Sequence, residues 1–172
     1  MINLATTLNL SNGERAQRKA LITVAEWGED STPTREILGV RVEDSSIEFN
    51  ADIETITDIL GITYTDVNKT EPQQTLDPSY IIGGSKLSAY LADAALENDI
   101  SKYNNTFNVY IITTFIGTEG AYQAVKHTGC SIIPTSMGGD SYVAMPLEVH
   151  YSNNITKGTV DKLSDDFTFT PA

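Results

Sequence analysis

Alternating apolar and polar residues mark most of this chain as short β-strands. The segments that combine β-branched and aromatic residues between turn-forming residues are Lys19–Trp27, Arg35–Val42, Ser46–Ile53, Phe107–Ile116, Ala121–His127, Cys130–Pro134 and Tyr142–Tyr151. A closing strand is expected near Asp166–Thr170. Strands of this length and spacing predict a mainly β fold, a two-sheet antiparallel sandwich or small barrel.

A long hairpin is predicted over residues 46–67. In its first half the apolar positions are Ile47, Phe49, Ala51 and Ile53, which alternate with Glu48, Asn50, Asp52 and Glu54. In its second half the shared apolar face carries Ile56, Leu60, Ile62 and Tyr64, opposite Thr55, Thr57, Thr63 and Thr65. Because a one-residue slip moves every side chain across a sheet, we expect a turn or bulge near Glu54–Thr55, between strands Ser46–Ile53 and Ile56–Val67.

One convincing helix follows the hairpin. Residues 68–84 contain Pro72, Pro78 and a glycine pair, which predicts a long irregular loop. Residues 85–99 then show an apolar stripe at helical spacing, with Ser85 placed to cap the first turn. The stripe comprises Leu87, Tyr90, Leu91, Ala94 and Ala95. We therefore expect a single domain over residues 18–172, a flanking helix, and a weakly patterned N-terminal arm over residues 1–17.

Composition narrows the classes of partner. The chain has 172 residues, a formal net charge of −12 and one cysteine, Cys130, so it can form no internal disulfide. Such an acidic balance argues against non-specific binding to nucleic acid or to an anionic membrane, since both depend on Lys and Arg. The first residues lack the pattern of a signal peptide, and no apolar run is long enough for a membrane helix. These features predict synthesis in a cytosol.

The acidic residues are concentrated in the hairpin. Residues 42–68 contain Glu43, Asp44, Glu48, Asp52, Glu54, Asp58 and Asp66 and neither Lys nor Arg. A sheet face whose charges all have one sign is energetically unfavourable in contact with another surface. Such a face is expected to contact water or cations, or to face a molecule that must not adhere to it. The one local basic excess, Arg15, Arg18 and Lys19, favours a contact with the acidic surface of a neighbouring subunit over a nucleic-acid site.

No residue pattern indicates an enzyme, a metal site or a cofactor. Asp66, Asn68 and Thr70 have the opening spacing of a calcium loop, but Glu71 and Asp77 stand where that loop needs Gly and Glu. His127 and Cys130 are too few ligands for zinc, and no third group activates the thiol. Gly83-Gly84-Ser85 has no phosphate-binding motif around it, and the carboxylate pair Glu54–Asp58 belongs more simply to a solvated face than to a glycosidase.

Several segments resemble the major tail proteins of tailed bacteriophages, which build the tail tube. The most specific is TDVNKTEPQQTLDP at residues 65–78, followed by IIGGSKL at residues 81–87. NDISKYNNTFNVYI at 98–111, AVKHTGCSIIPTSMGGDSYVAMPLEVHYS at 124–152 and GTVDKL at 158–163 extend the likeness. It covers about Ile37 to Ala172 and leaves out the N-terminal arm.

The resemblance implies a structural subunit rather than an enzyme, and no cofactor. Subunits of that family form hexameric rings whose long hairpins join into a continuous barrel, and the rings stack head to tail. The tube holds the tape measure protein and later conducts DNA, without binding it specifically. Its other implied partners are the tail terminator, the baseplate or initiator proteins, and a sheath or tail-exterior protein. The implied location is the virion tail, assembled in the cytoplasm of the host bacterium.

The resemblance also implies roles for two groups of residues. The candidates for an acidic lumen are Glu48, Asp52, Glu54 and Asp58. The candidates for an inter-subunit loop are Asp66, Asn68, Thr70, Glu71, Pro72, Asp77 and Pro78. Two other interpretations stay open: a tube protein of a phage-like contractile injection particle, and a monomeric β-sandwich binding module. A cluster of exposed tyrosines around a concave surface would favour the binding module.

Overall fold

The computed structural model of the protein describes residues 7–172, which form eleven β-strands and one α-helix. The strands are β1 (Leu21–Trp27), β2 (Thr34–Ile37), β3 (Ile47–Glu48), β4 (Ala51–Thr57), β5 (Thr63–Thr70), β6 (Gln73–Leu76), β7 (Phe107–Thr118), β8 (Ala121–Pro134), β9 (Leu147–His150), β10 (Ile155–Val160) and β11 (Phe169–Pro171). The helix α1 spans Lys86–Leu96, and short 3-10 helices span Arg18–Ala20 and Ile100–Lys102.

Nine strands form one bent antiparallel sheet. Its order is β2-β1-β7-β8-β9-β6-β3, with β10 paired to β8 and β11 paired to β10. The long strand β8 connects two halves, because its first part pairs with β7 and β10 and its last four residues pair with β9. Gly129, at φ +79°, lies at the change of register between Thr128 and Cys130, where a residue without Cβ accommodates the bulge.

The main core lies between these two halves and α1. It contains Trp27, Phe107 and Val109 from one half, Leu76, Ile132, Leu147 and Val149 from the other, and Leu87 and Leu91 from the helix. Ser85 caps α1 by accepting a hydrogen bond from the Ser88 N–H, and Glu36 of β2 accepts one from the Leu87 N–H at 3.0 Å. A carboxylate at this end also complements the helix dipole.

The predicted fold class is confirmed: the protein is mainly antiparallel β with one flanking helix, and residues 7–172 contain no closed barrel. The predicted helical stripe also packs as expected, with Leu87, Leu91 and Ala94 buried. A second core lies under the C-terminal segment, where Phe167 and Phe169 pack against Tyr110.

Several predicted boundaries differ from the structure. The hairpin turns at residues 58–62 and not near Glu54–Thr55, and β4 runs through that position without interruption. The predicted loop 68–84 contains the end of β5 and the whole of β6. The segments 121–127 and 130–134 form the single strand β8, and β10 was not predicted at all. Its sequence, ITKGTV, is interrupted by Lys157 and Gly158, which weaken the alternation of apolar residues.

Candidate assembly surface

The strands β3 to β6 form one continuous two-stranded ribbon that leaves the sheet. Ile47 and Glu48 pair with Gln74 and Gln73 at the base, and Ala51–Thr57 pairs with Thr63–Thr70 beyond it. Between these sections the Glu71 N–H donates to the Phe49 carbonyl at 3.0 Å, and the Asn50 side chain donates to the Glu71 carbonyl. Asn50 has φ +47°, a conformation that Asn tolerates better than most residues. The outer section, β4–β5, is called the hairpin below.

A five-residue turn closes the hairpin. The Oδ1 atom of Asp58 accepts hydrogen bonds from the N–H groups of Leu60 and Ile62, at 2.8 and 2.9 Å. The Asp58 N–H donates in turn to the Ile62 carbonyl, and Gly61 takes φ +77°. The predicted lumen residue Asp58 is therefore the residue that organises the turn.

The two faces of the hairpin differ in charge. The register places Thr55 opposite Thr65 and Thr57 opposite Thr63, so the predicted threonine face is confirmed. This uncharged face comprises Ala51, Ile53, Thr55, Thr57, Thr63, Thr65, Val67 and Thr70. The other face, called the acidic face, comprises Asp52, Glu54, Ile56, Tyr64, Asp66 and Lys69.

This register explains why the predicted slip was wrong. The apolar residue Ile53 lies on the uncharged face and Ile56 lies on the acidic face, although the backbone between them alternates regularly. The one irregularity is the extra residue Asn68 in β5, opposite the step from Asp52 to Ile53. Each face is part apolar although neither is buried in the single chain.

The acidic face brings like charges together. Glu54 and Asp66 lie directly opposite each other, an arrangement that destabilises an isolated sheet. Asp52 lies opposite Lys69, whose ammonium group contacts Glu71 at 2.7 Å. Burying the Glu54–Asp66 pair in a protein interface would require desolvating two carboxylates of the same sign, so this face favours water.

Every residue of β4 and β5 is exposed, including large apolar side chains. Ile59 at the tip is 102% exposed and Leu60 is 79% exposed. The other exposed apolar residues of the ribbon are Phe49, Ile53, Ile56, Ile62, Tyr64 and Val67. A two-stranded hairpin is marginally stable in water, and an apolar surface of this extent is typical of an interaction site.

The residues predicted to form an inter-subunit loop lie in three places. Asp66, Asn68 and Thr70 are exposed strand residues of β5, so their assignment to a loop is corrected. Glu71 and Pro72 form the junction between the hairpin and the sheet, where the Pro72 carbonyl accepts from the Tyr151 N–H. Asp77 and Pro78 follow β6 in an exposed connection.

The described part of the N-terminal arm runs across the end of β7. Leu8 bridges to Ile116, and the Asn9 side chain donates to the carbonyls of Thr114 and Gly117 at 2.9 and 2.7 Å. Three residues of β7, Thr114 to Ile116, have no partner in β8 and so leave this edge free for the arm. The rest of the predicted arm, residues 1–6, lies outside the described residues.

The residues considered for catalysis or metal binding do not form a common site among the described residues. Burial raises the pKa of the Cys130 thiol, which makes it a poor nucleophile at neutral pH. The ring of His127 contacts the Ser152 carbonyl instead, and His150 contacts Glu148 on its own strand. Within residues 7–172 no three His, Cys, Asp or Glu side chains are grouped to hold a metal ion. The same residues include no helix with the length and apolar character to cross a membrane.

Comparisons with solved structures identify proteins of similar fold. No family model matches the chain, and no curated protein does. Among solved structures, the sheath/tube terminator of the extracellular contractile injection system PVC, in its extended state, superposes with a TM-score of 0.50 at 12% identity, over 86% of this chain and 99% of the other. The tube terminating cap of the anti-feeding prophage gives 0.48 at 16% identity, over 88% and 95%. At such identities the first superposition shows a shared fold.

Proposed function

We propose that this protein is a structural subunit of a phage tail tube, which forms stacked hexameric rings around a negatively charged lumen. The observation that carries the proposal is the hairpin, which is exposed on both faces, has one acidic face, and ends in an apolar tip. An exposed hairpin of this kind is marginally stable in a single chain. In an assembly, its strand edges and apolar tip can contact neighbouring subunits. The shared fold with a sheath/tube terminator supports the same kind of role.

Ring closure accounts for the open edges of the hairpin. β4 and β5 pair only with each other, so the outer backbone groups of both strands lack strand partners in the single chain. Exposed strands of 7 and 8 residues readily pair with further strands. In the proposed ring, β4 of one copy lies beside β5 of the next, and the hairpins together form the barrel that a single chain lacks.

In this arrangement the acidic face lines the lumen. Asp52 and Glu54 point into the channel together with Asp66, Glu48 extends the charge toward the base of the ribbon, and Asp58 adds charge at the tip. A channel of this sign repels the DNA phosphates, so DNA passes without adhering. The exposed positions Asn68, Thr70, Glu71, Asp77 and Pro78, with the partly buried Pro72, contact neighbouring subunits.

The proposed position of the protein in a tail tube determines its partners. They are further copies of the same chain, the tape measure protein inside the tube, the terminator and the baseplate or initiator proteins at its ends, and a sheath or tail-exterior protein around it. The subunit assembles in the host bacterial cytoplasm and remains in the virion tail. It acts as a structural protein, with neither a catalytic residue nor a cofactor.

A terminator or a tube subunit of a contractile injection particle is the second candidate. The superposition on the PVC sheath/tube terminator favours it. A terminator closes one end of a tube, whereas a tube subunit adds to its own kind. The third candidate, a carbohydrate-type binding module, has little support, since the one aromatic pair with an exposed member among the described residues is Tyr80–Tyr142, with ring centroids 6.3 Å apart.

Electron microscopy of the purified protein, with size-exclusion chromatography, tests the assembly. A tube subunit is expected to form rings at low concentration and tubes of increasing length at high concentration. A terminator is expected to stop at single rings that bind the end of a tube. A well-folded monomer at every concentration, with and without an added initiator complex, would contradict both candidates.

Charge reversal tests the lumen. In particles built with Asp52→Lys and Glu54→Lys, tubes are expected to form normally, because these side chains face water, while DNA delivery falls. Glu29→Lys with Glu119→Lys makes the same change of charge at two exposed positions outside the hairpin and is the matched control. Loss of tubes in the hairpin variant alone would show that the acidic face is an interface and not a lumen.

A further inference from the structure

A cavity lies at the end of the ribbon opposite the hairpin tip. It has a volume of about 340 Å³ and is walled by apolar side chains of β1, β2 and β6 and of the loop after β2. These walls include Leu21, Ile37, Leu38, Val42 and Leu76. We call it the base cavity, since Gln74 and Leu76, at the base of the ribbon, contribute to it.

The base cavity carries local positive charge on an acidic protein. Its charged lining residues are Arg18, Lys19 and Glu43, in a chain of net charge −12. The Arg18 guanidinium donates to the carbonyls of Leu21, at 2.7 Å, and Ser45, at 3.0 and 3.2 Å. These acceptors are neutral, and among the described residues no carboxylate forms an ion pair with Arg18 or Lys19. The cationic charge is therefore available to a partner.

The hairpin tip has the complementary character. Ile59 is fully exposed and Leu60 largely so, and Asp58 lies beside them, with Glu54 and Asp66 further along the acidic face. The tip thus presents an apolar end flanked by negative charge. The base cavity combines apolar side chains with two cations, Arg18 and Lys19, in a lining that also includes Thr23, Ser45 and Gln74.

The two features cannot meet within one chain. The strands β5 and β6 lead from the tip to the base cavity along the same ribbon, and that length of extended chain spans roughly 40 Å. A complementary pair at opposite ends of one element makes a heterologous contact, which repeats from copy to copy along a line.

We propose that the hairpin tip of one copy inserts Ile59 and Leu60 into the base cavity of the next copy, with Arg18 and Lys19 facing its acidic residues. The occupant is a second copy of this chain, identified by complementary charge and by the head-to-tail placement of the two features. This inference rests on the proposed function, because it supplies the contact by which rings stack. It differs from the pairing of hairpins within a ring, which uses the strand edges.

Crosslinking tests the contact directly. The native Cys130 is 1% exposed, so introduced cysteines react without interference from it. The double variant Leu60→Cys with Lys19→Cys is expected to give a ladder of covalent oligomers with a short bis-maleimide, while each single variant gives none. Leu60→Cys with Leu96→Cys is the matched control, since Leu96 is exposed on α1 and does not line the cavity.

The variant Leu60→Asp tests the consequence for assembly. It is expected to leave the fold and the rings intact and to raise the critical concentration for stacking roughly tenfold or more, as for the loss of one buried Leu side chain. Leu96→Asp is its control and should stack normally. Tubes that tolerate Leu60→Asp and give no ladder would overturn this inference and leave the tube function standing. A ladder without tubes would support the contact and overturn the tube function, and the absence of both would overturn both.

Discussion

At the scale of single residues, the main polar feature of the interior is Glu26, on β1. Its carboxylate accepts hydrogen bonds from Arg35 at 2.6 Å and from Asn108 at 3.0 Å, and Lys126 lies 3.9 Å away. Arg35 also packs over the Phe167 ring, 4.2 Å from its centroid, and donates to the Phe167 carbonyl. This cluster ties the C-terminal segment to the sheet, since a buried charge must be paired and hydrogen-bonded.

The Glu26 cluster predicts a pH-dependent stability. Burial alone would raise the pKa of Glu26, but the hydrogen bonds from Asn108 and Arg35 and the charges of Arg35 and Lys126 together hold it below its ordinary value of 4.5. A depressed folded-state pKa adds stability above the unfolded pKa and loses it as the pH falls through the folded one. Glu26→Gln is expected to lower the free energy of unfolding by about 3 kcal/mol at pH 7.

Urea denaturation at several pH values measures this effect. The difference between wild type and Glu26→Gln should be constant from neutral pH down to about 5 and should shrink below 4.5, where Glu26 takes up a proton in the unfolded wild type before it does so in the folded protein. Glu119→Gln, in an exposed turn, is the control and should change little at any pH. A difference that stays the same down to pH 3 would mean that the Glu26 charge contributes nothing.

At the scale of elements, the sequence pattern predicted those features that depend only on the geometry of a single helix or strand. The α1 stripe and the threonine face of the hairpin were both predicted correctly, because their periodicity follows from helix and strand geometry. The position of the turn was missed, since Ile53 and Ile56 lie on opposite faces of a strand that alternates regularly, so the change of apolar phase marks no slip of the backbone. The base cavity and the Glu26 cluster join residues far apart in sequence, so no local pattern could have indicated them.

Removing the hairpin tests whether it belongs to the assembly and not to the fold. Replacing residues 51–70 by a Gly-Gly link should shift the melting temperature by less than about 5 °C, because β4 and β5 pair only with each other and are exposed throughout. The bond between the Glu71 N–H and the Phe49 carbonyl can still close the shortened ribbon. Circular dichroism follows melting, and electron microscopy should show no rings. A much lower melting temperature would show that the hairpin supports the sheet.

At the scale of the whole molecule, the features of the ribbon form a consistent design. One end carries an apolar tip, the other a cavity whose lining includes Arg18 and Lys19, and the acidic face lies between them. The rest of the chain, with its main core between the two halves of the sheet, holds this ribbon out from a stable body. The proposed subunit would use the strand edges of this ribbon to close a ring and its two ends to stack rings.

The net charge then predicts how assembly responds to salt. Copies of charge −12 repel one another, and the proposed lumen brings their acidic faces together. Raising NaCl from about 0.01 M to about 0.15 M shortens the Debye length from about 30 Å to about 8 Å and so screens this repulsion. The critical concentration for assembly should therefore fall several-fold over this range. In the proposed stacking contact, this salt weakens the apolar insertion of Ile59 and Leu60 little, although it screens the attraction of Arg18 and Lys19 for the acidic residues of the tip. Light scattering measures the critical concentration, and MgCl₂ at matched ionic strength is the control that separates screening from bound cations. A critical concentration that rises with NaCl would show that attraction between opposite charges outweighs the repulsion between copies of charge −12, which contradicts this prediction.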